Sequence, residues 1–231
     1  MESIHSLLQQ QIVYYQDRAC EYDEWFLRQG RYDRGAEWNA QWFQEVEQVR
    51  QALDQFKPTW SVLELACGTR LWTQQLLGHA HQISAVDAVA EVLKLNQQRL
   101  HSLKVNYVQA DIFAWQPTEF FEVVFFSFWL SHGPDLHFDL FWRMVSRAIS
   151  PAGRVFFIDP RYEPTSTAQD HRLGDPQAGK VLRRLNDGRE FRIFKVFYER
   201  KQLIERLHRS GWHAWVYETP HYFLYGEAKM D

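Results

Sequence analysis

Between residues 61 and 159 the apolar positions follow two alternating rhythms. Short, largely apolar runs read as five strands: "SVLELA", "QISAVDA", "KVNYVQAD", "FEVVFFSFWL" and "RVFFID". Between them, "LWTQQLLGH", "AEVLKLNQQRL" and "HFDLFWRMVSRAIS" return to apolar residues every three or four positions, as helices do. Pro151 and Gly153 close the last of these. Strand and helix taking turns predicts parallel strands joined by crossover helices, an α/β doubly wound sheet.

The flanks have a different rhythm. "LLQQQIVYY" and "WNAQWFQEVEQVRQALDQF" read as helices, the second with Trp38, Trp42, Val46, Val49 and Leu53 on one stripe and Pro58 ending it. Residues 160 to 180 are polar and punctuated by proline, glycine and threonine, which predicts a long loop or lid. "KVLRRLNDGREFRIFKVFY" places two strand-like arms around Asp187-Gly188, a hairpin signal. The helix "ERKQLIERLHRSG" and two strands around Thr219-Pro220 close the chain. No linker divides it, so one domain over 1–231 is expected: a helical cap (1–60), a core (61–159), a lid and hairpin (160–198) and a closing helix with strands (199–231).

In such a sheet ligands bind beyond the carboxyl ends of the strands, and the turn after the first strand is the usual place. Gly68 permits close backbone approach there, and the amides opening the next helix favour an anionic group. A dinucleotide turn would carry glycine at three positions where this one has Ala66, Gly68 and Leu71. No Gly-Lys-Ser/Thr follows, so a phosphate loop is excluded too.

"ELACGTRLWT" resembles motif I of the class I S-adenosylmethionine-dependent methyltransferases, small-molecule branch, apart from Arg70 in place of the last glycine. "ISAVDA", "VNYVQADIFAW", "FFEVVFFSFWLSHGP" and "ISPAGRVFFID" resemble the family's later segments in order, and "YYQDRACEYDEWF" its N-terminal cap. The resemblance implies a Rossmann-like, seven-stranded, mostly parallel sheet with an N-terminal helical cap and a lid insertion after strand five. It implies S-adenosyl-L-methionine bound around Glu64, Ala66, Cys67, Gly68 and Thr69, with Glu64 near the methionine amine. Asp87 and Ala88 would take the ribose, Asp111 and Ile112 the adenine. Phe128 and Trp129 would stand at the reacting centre, with Tyr22 folding over the cofactor. The activity implied is methyl transfer to an oxygen or nitrogen of a small, partly apolar metabolite.

His132 is the expected general base, because an oxygen or nitrogen acceptor must lose a proton and an ordinary imidazole suits that near neutrality. His137 and His221 rank below it. Tyr14 and Tyr15 read as amphipathic-helix aromatics or as part of the cap, and Trp72 as packing. Arg70 has two readings. Its side chain leaves the turn and the cofactor keeps its place, which is the expectation, or the guanidinium fills the cleft and the fold is repurposed for binding or other chemistry.

Composition narrows the rest. Net charge is −3 and the aromatic content is 16%, which favours a pocket for a partly apolar small molecule over a nucleic-acid surface. Two cysteines exclude a disulfide framework, and neither Asp135 nor Asp159 sits in a metal-ligand cluster, so no metal is expected. The longest apolar run, "VVFFSFWL", is too short for a bilayer, and the first residues lack a signal-peptide pattern; no membrane partner and a cytoplasmic location are expected. Residues 161 to 195 hold eight Lys or Arg against five acids, read as a solvated face rather than a site. The sequence leaves the oligomeric state and the acceptor's identity open.

Overall fold

Strand β1 (Ser61–Leu65) buries four of its five residues, because a parallel strand in this architecture is covered on both faces. The computed structural model describes residues 3–171, 173, 175 and 178–231. Its principal sheet has the order β3-β2-β1-β4-β5-β9-β8. β2 (Gln82–Asp87), β3 (Val105–Gln109), β4 (Phe121–Ser127) and β5 (Ile149–Pro160) run parallel to β1. β8 (Trp212–Glu218) and β9 (Phe223–Met230) close the sheet, and β9 is antiparallel to both β5 and β8. The chain runs outward from β1 to β3 and returns to β4 on the other side of β1, so the strand order reverses between β1 and β4. Their carboxyl ends flank the crevice where such folds take ligands.

The seven-stranded, mostly parallel sheet agrees with the sequence expectation, with adjustments at the ends. The expected helix over 71–79 shortens to α4 (Thr73–Leu76), whereas α5 (Ala90–Leu100) matches its segment. Helix α6 (Phe138–Ala148) stops two residues early because the chain from Ile149 joins β5, with a register shift opposite Phe121 and Val123.

Two cores sandwich the sheet. On one face, Trp42, Val46, Val49, Leu53 and Phe56 of α3 (Ala36–Phe56) pack with Val62, Phe125, Phe156 and Trp72. On the other, Trp142 and Val145 of α6 join Leu203 and Leu207 of α7 (Arg200–Arg209) against Leu63, Leu65, Phe126 and Phe157. Lys57 turns left-handed (φ 53°) and Pro58 follows, which stops α3.

Helix α1 (Ile4–Arg18) and the hairpin of β6 (Lys180–Arg184) and β7 (Glu190–Phe194) lie outside both cores. They pack on each other through Tyr14, Val181, Leu185 and Ile193. α2 (Tyr22–Phe26) and the chain after it are tied to 164–168 by side chains that satisfy backbone carbonyls. Arg28 donates to Thr165 O (2.7 Å) and Ser166 O (3.2 Å), Trp25 to Ser166 O (2.8 Å), and Arg34 to Thr167 O (2.9 Å). These bonds secure a segment that has little regular hydrogen bonding of its own.

Candidate active site

A cavity opens beyond the carboxyl ends of β1, β2 and β4, roofed by α1, α2 and the β6–β7 hairpin. Tyr22, Ala66, Gly68, Asp87, Ala88, Asp111, Ile112, Phe128, Trp129 and His132 line it, and Cys67 and Thr69 line a smaller recess sharing the Gly68 wall. The sheet end of this cavity is built by backbone geometry. Ala66 (φ 52°), Gly68 (φ 60°) and Phe128 (φ 55°) all turn left-handed where β1 and β4 leave the sheet. For the two residues with side chains that costs roughly 1 kcal/mol each. The nearest atom a Cβ on Gly68 would meet belongs to Tyr22, at 3.7 Å, which is ordinary contact. Within the protein itself the glycine is therefore required by the backbone angle.

Asp87 closes β2 with both oxygens engaged: Oδ2 accepts from Gly68 N (3.2 Å) and Oδ1 from Val89 N (3.0 Å). Burial nonetheless raises its pKa to about 6. Asp111 lies on the rim and caps its own turn, with Oδ1 accepting from Phe113 N (3.0 Å).

Glu64 departs from its expected place. It lines neither pocket and sits 1% exposed beneath the turn, hydrogen-bonded to Thr73, with Oε2 unpartnered among the described residues. Burial raises its pKa to about 8. Beside it, Asn96 donates to Gly68 O (3.0 Å) and Thr73 Oγ1 (2.9 Å) and accepts from the Tyr107 hydroxyl (3.0 Å). This buried network, absent from the sequence reading, fixes the carbonyl of the glycine turn from below. From above, Asp23 of α2 accepts from the Thr69 hydroxyl and from Arg99 (2.7 Å).

Arg70 has φ 121°, and its guanidinium lines neither pocket. It does not fill the cleft.

The roofed end has a different chemistry. Arg18, Arg183 and Lys195 all face the cavity, with Tyr14, Tyr15, Tyr32, His132 and His171 around them. Among the described residues no carboxylate stands within 4.0 Å of any of these three cations. Arg18 is enclosed by the rings of Tyr14, Tyr22 and Tyr32 at 5.2–5.9 Å, and among the described residues neither its Nε nor Arg183 Nη1 has a hydrogen-bond partner. The reading of 161–195 as a solvated face is corrected at these two positions of the run, Arg183 and Lys195; Arg172 lies outside the described residues.

His132 lines the cavity, but its lone pair is engaged. Nδ1 stands 3.2 Å from Phe194 O, and a carbonyl only accepts, so Nδ1 carries the ring hydrogen. Nε2 then accepts from Lys195 Nζ (3.2 Å), while the Tyr15 hydroxyl lies against the ring, 3.0 Å from Nδ1 and 3.2 Å from Nε2. Burial, and after it the charges of Lys195, Arg183 and Arg18, push the imidazole well below its ordinary pKa. It stays neutral. The roof is keyed to the sheet by Gln11, whose carboxamide donates to His132 O (2.8 Å) and accepts from Phe194 N (2.9 Å).

Arg18, Tyr32, His171, Arg183 and Lys195 were not singled out as site residues from sequence. A signal existed for three. Arg18 ends the buried α1 stripe of Leu7, Gln11 and Tyr14. Arg183 follows Val181, and Lys195 follows Ile193, on the inward side of a two-residue alternation. Among the described residues there is no His/Cys/Asp/Glu group able to hold a metal, and no helix long and apolar enough to cross a membrane.

A family profile described as a methyltransferase domain matches residues 62–153. No curated protein sequence matches the chain. Among solved structures, the DhpI–SAH complex is 33% identical over 99% of this chain and 98% of that one, with a TM-score of 0.80. The DhpI–SAM–HEP complex is 34% identical over 99% and 100%, also with a TM-score of 0.80. An S-adenosylmethionine-dependent methyltransferase from Clostridium acetobutylicum is 15% identical over 94% and 99%, with a TM-score of 0.64, and shares the fold. Identity of the DhpI degree along both whole chains carries more than a fold: this protein belongs to the class I S-adenosylmethionine-dependent methyltransferases, with S-adenosylmethionine as its cofactor.

Proposed function

We propose that the protein methylates an oxygen of a small, partly apolar oxyanion. The observation that carries this reading is the trio Arg18, Arg183 and Lys195, turned into one cavity without carboxylate partners among the described residues. Burying unpaired charge costs several kcal/mol, and an anionic ligand offsets that cost. Aromatic walls from Tyr14, Tyr15, Phe113 and Phe197 suit an apolar remainder. DhpI in one complex holds SAM and HEP together, which supports a cavity that admits a second ligand beside the cofactor.

S-adenosylmethionine supplies an electrophilic methyl on a sulfonium, open to in-line displacement. The chain's residues divide the remaining work. The Ala66–Thr69 turn, Asp87 and the Asp111–Ile112 rim hold the nucleoside and amino-acid parts, a carboxylate being well suited to ribose hydroxyls. Trp72, whose indole N–H has no hydrogen-bond partner among the described residues, lines the recess beside that turn. Phe128 and Trp129 offer ring faces to a cation, worth about 0.5–2 kcal/mol. The three cations orient the acceptor, and the roof excludes water. An oxyanion arrives deprotonated, so the step needs no base. That agrees with a neutral His132 whose lone pair orients Lys195 instead of waiting for a proton.

Labelled methyl transfer tests the reading. Small phosphates, phosphonates, sulfonates and carboxylates are compared with neutral alcohols and amines. Transfer confined to anions is the expected result; efficient transfer to neutral amines with the anions inert overturns it.

A further inference from the structure

Of the three cavity cations, Lys195 is the one joined to a buried acid, and the joint is indirect. Asp159 lies near the end of β5, 2% exposed. Its Oδ2 accepts from Ser131 N (3.0 Å), and its Oδ1 has no hydrogen-bond partner among the described residues. Ser131, fully buried in the turn after β4, accepts from Lys195 Nζ at 3.0 Å through its hydroxyl oxygen. Ser131 is therefore held at two points, its backbone N–H by the Asp159 carboxylate and its hydroxyl oxygen by Lys195 Nζ.

The ammonium's hydrogens can be assigned in full. A lysine has three: one goes to Ser131 Oγ and one to His132 Nε2, leaving the third for the cavity that Lys195 lines. The link therefore runs from the Asp159 carboxylate to the Ser131 backbone N–H and from the Ser131 hydroxyl to the ammonium, whose remaining donor is left for the cavity.

We propose that Asp159, acting through Ser131, is a positioning residue that keeps Lys195 charged and aimed before the acceptor arrives. The inference rests on the anionic-acceptor reading above. Without a nearby negative charge, the surroundings all push the proton off. Burial lowers the Lys195 pKa, Arg183 and Arg18 lower it further, and Asp159 raises it. The other titratable groups around the pair are neutral near pH 7. His132 is held well below its ordinary pKa, burial lowers His171 to about 4, and burial raises Tyr14, Tyr15 and Tyr198. Among the described residues, Asp159 is the charged group that favours the protonated Lys195.

The test uses the full chain with S-adenosylhomocysteine bound and sulfate as the probe anion, because sulfate keeps its charge from about pH 6 to about pH 9. Calorimetry gives sulfate affinity across that range for wild type, Asp159→Asn, Ser131→Ala and Lys195→Met. In parallel, NMR of carbon-13 lysine, with the Lys195 signal assigned from its loss in Lys195→Met, follows the amine directly. Affinity is expected to fall as pH rises through the Lys195 titration. In Asp159→Asn the fall comes about one pH unit earlier, so affinity near pH 8 drops about tenfold while that near pH 6 stays close to wild type. Ser131→Ala keeps the carboxylate, shifts the titration in the same direction by less, and serves if Asp159→Asn does not fold. A Lys195 titration unmoved in both variants overturns the relay, whatever sulfate does. Failure of wild type to bind sulfate at any pH, with the titration shifted as expected, overturns the anionic reading and leaves the relay standing.

Discussion

The two ends of the cavity are made from different materials. Toward the sheet, the walls are strand tips and peptide groups: left-handed Ala66, Gly68 and Phe128, with Asp87 and Asp111 as the charged groups. Under the roof the charged groups are Arg18, Arg183 and Lys195, carried by α1 and the β6–β7 hairpin. The parallel sheet fixes the first set and leaves little freedom to vary it. The second set stands on elements outside the seven-stranded sheet, where the proposed acceptor site can vary while the strand tips stay as they are.

The strongest way to break this division is Lys195→Met. It should lower kcat/KM for the acceptor about a thousandfold, on the order of 4 kcal/mol for losing one partner of a desolvated charge pair. The dissociation constant of S-adenosylhomocysteine should stay within about twofold. A comparable loss of cofactor affinity would show that the two ends are one site.

Next in size is Glu64→Gln, which probes the sheet end from beneath. A carboxyl whose folded pKa of about 8 exceeds its ordinary 4.5 binds more protons folded than unfolded between those values. Stability should therefore fall as pH rises from about 5 to about 9, by on the order of 3 kcal/mol, and the glutamine variant should remove that decline. Denaturant melts of the ligand-free protein at the two pH values decide it; identical slopes against pH would mean Glu64 ionises freely.

Asp87→Ala should raise the S-adenosylmethionine dissociation constant about thirtyfold, near 2 kcal/mol for lost bonds to a charged acceptor. Sulfate affinity should be unchanged. Smallest is Arg70→Gly. Relief of a non-glycine residue at φ 121° should raise stability by about 1 kcal/mol in thermal melts, with cofactor affinity little altered. A large gain in cofactor affinity would mean the guanidinium competes for the cleft in solution.

The same division explains what the sequence revealed. The sheet was legible because each strand and helix declares itself by local period, and α5 coincided with its segment over Ala90–Leu100. The glycine turn was legible because its residues are contiguous. The burial of Glu64 was not legible, because motif order says which strand a residue ends, not which face of the turn its side chain takes. The cations escaped for a plainer reason. Arg18 and Lys195 each break a local pattern by putting charge on an inward position, yet nothing within either segment says that the two patterns meet. Only the docking of α1 on the hairpin, through Tyr14, Val181, Leu185 and Ile193, brings them together.

Gln11 is the smallest part of that docking, and it sets the alignment of the rest. With a donor on one side and an acceptor on the other, its carboxamide can satisfy Phe194 and His132 in a single registry; sliding the helix by one turn surrenders both bonds at once. A glutamate would keep the first and forfeit the second. The indexing of the canopy thus belongs to an uncharged group, and no ligand charge has to be diverted to holding it shut.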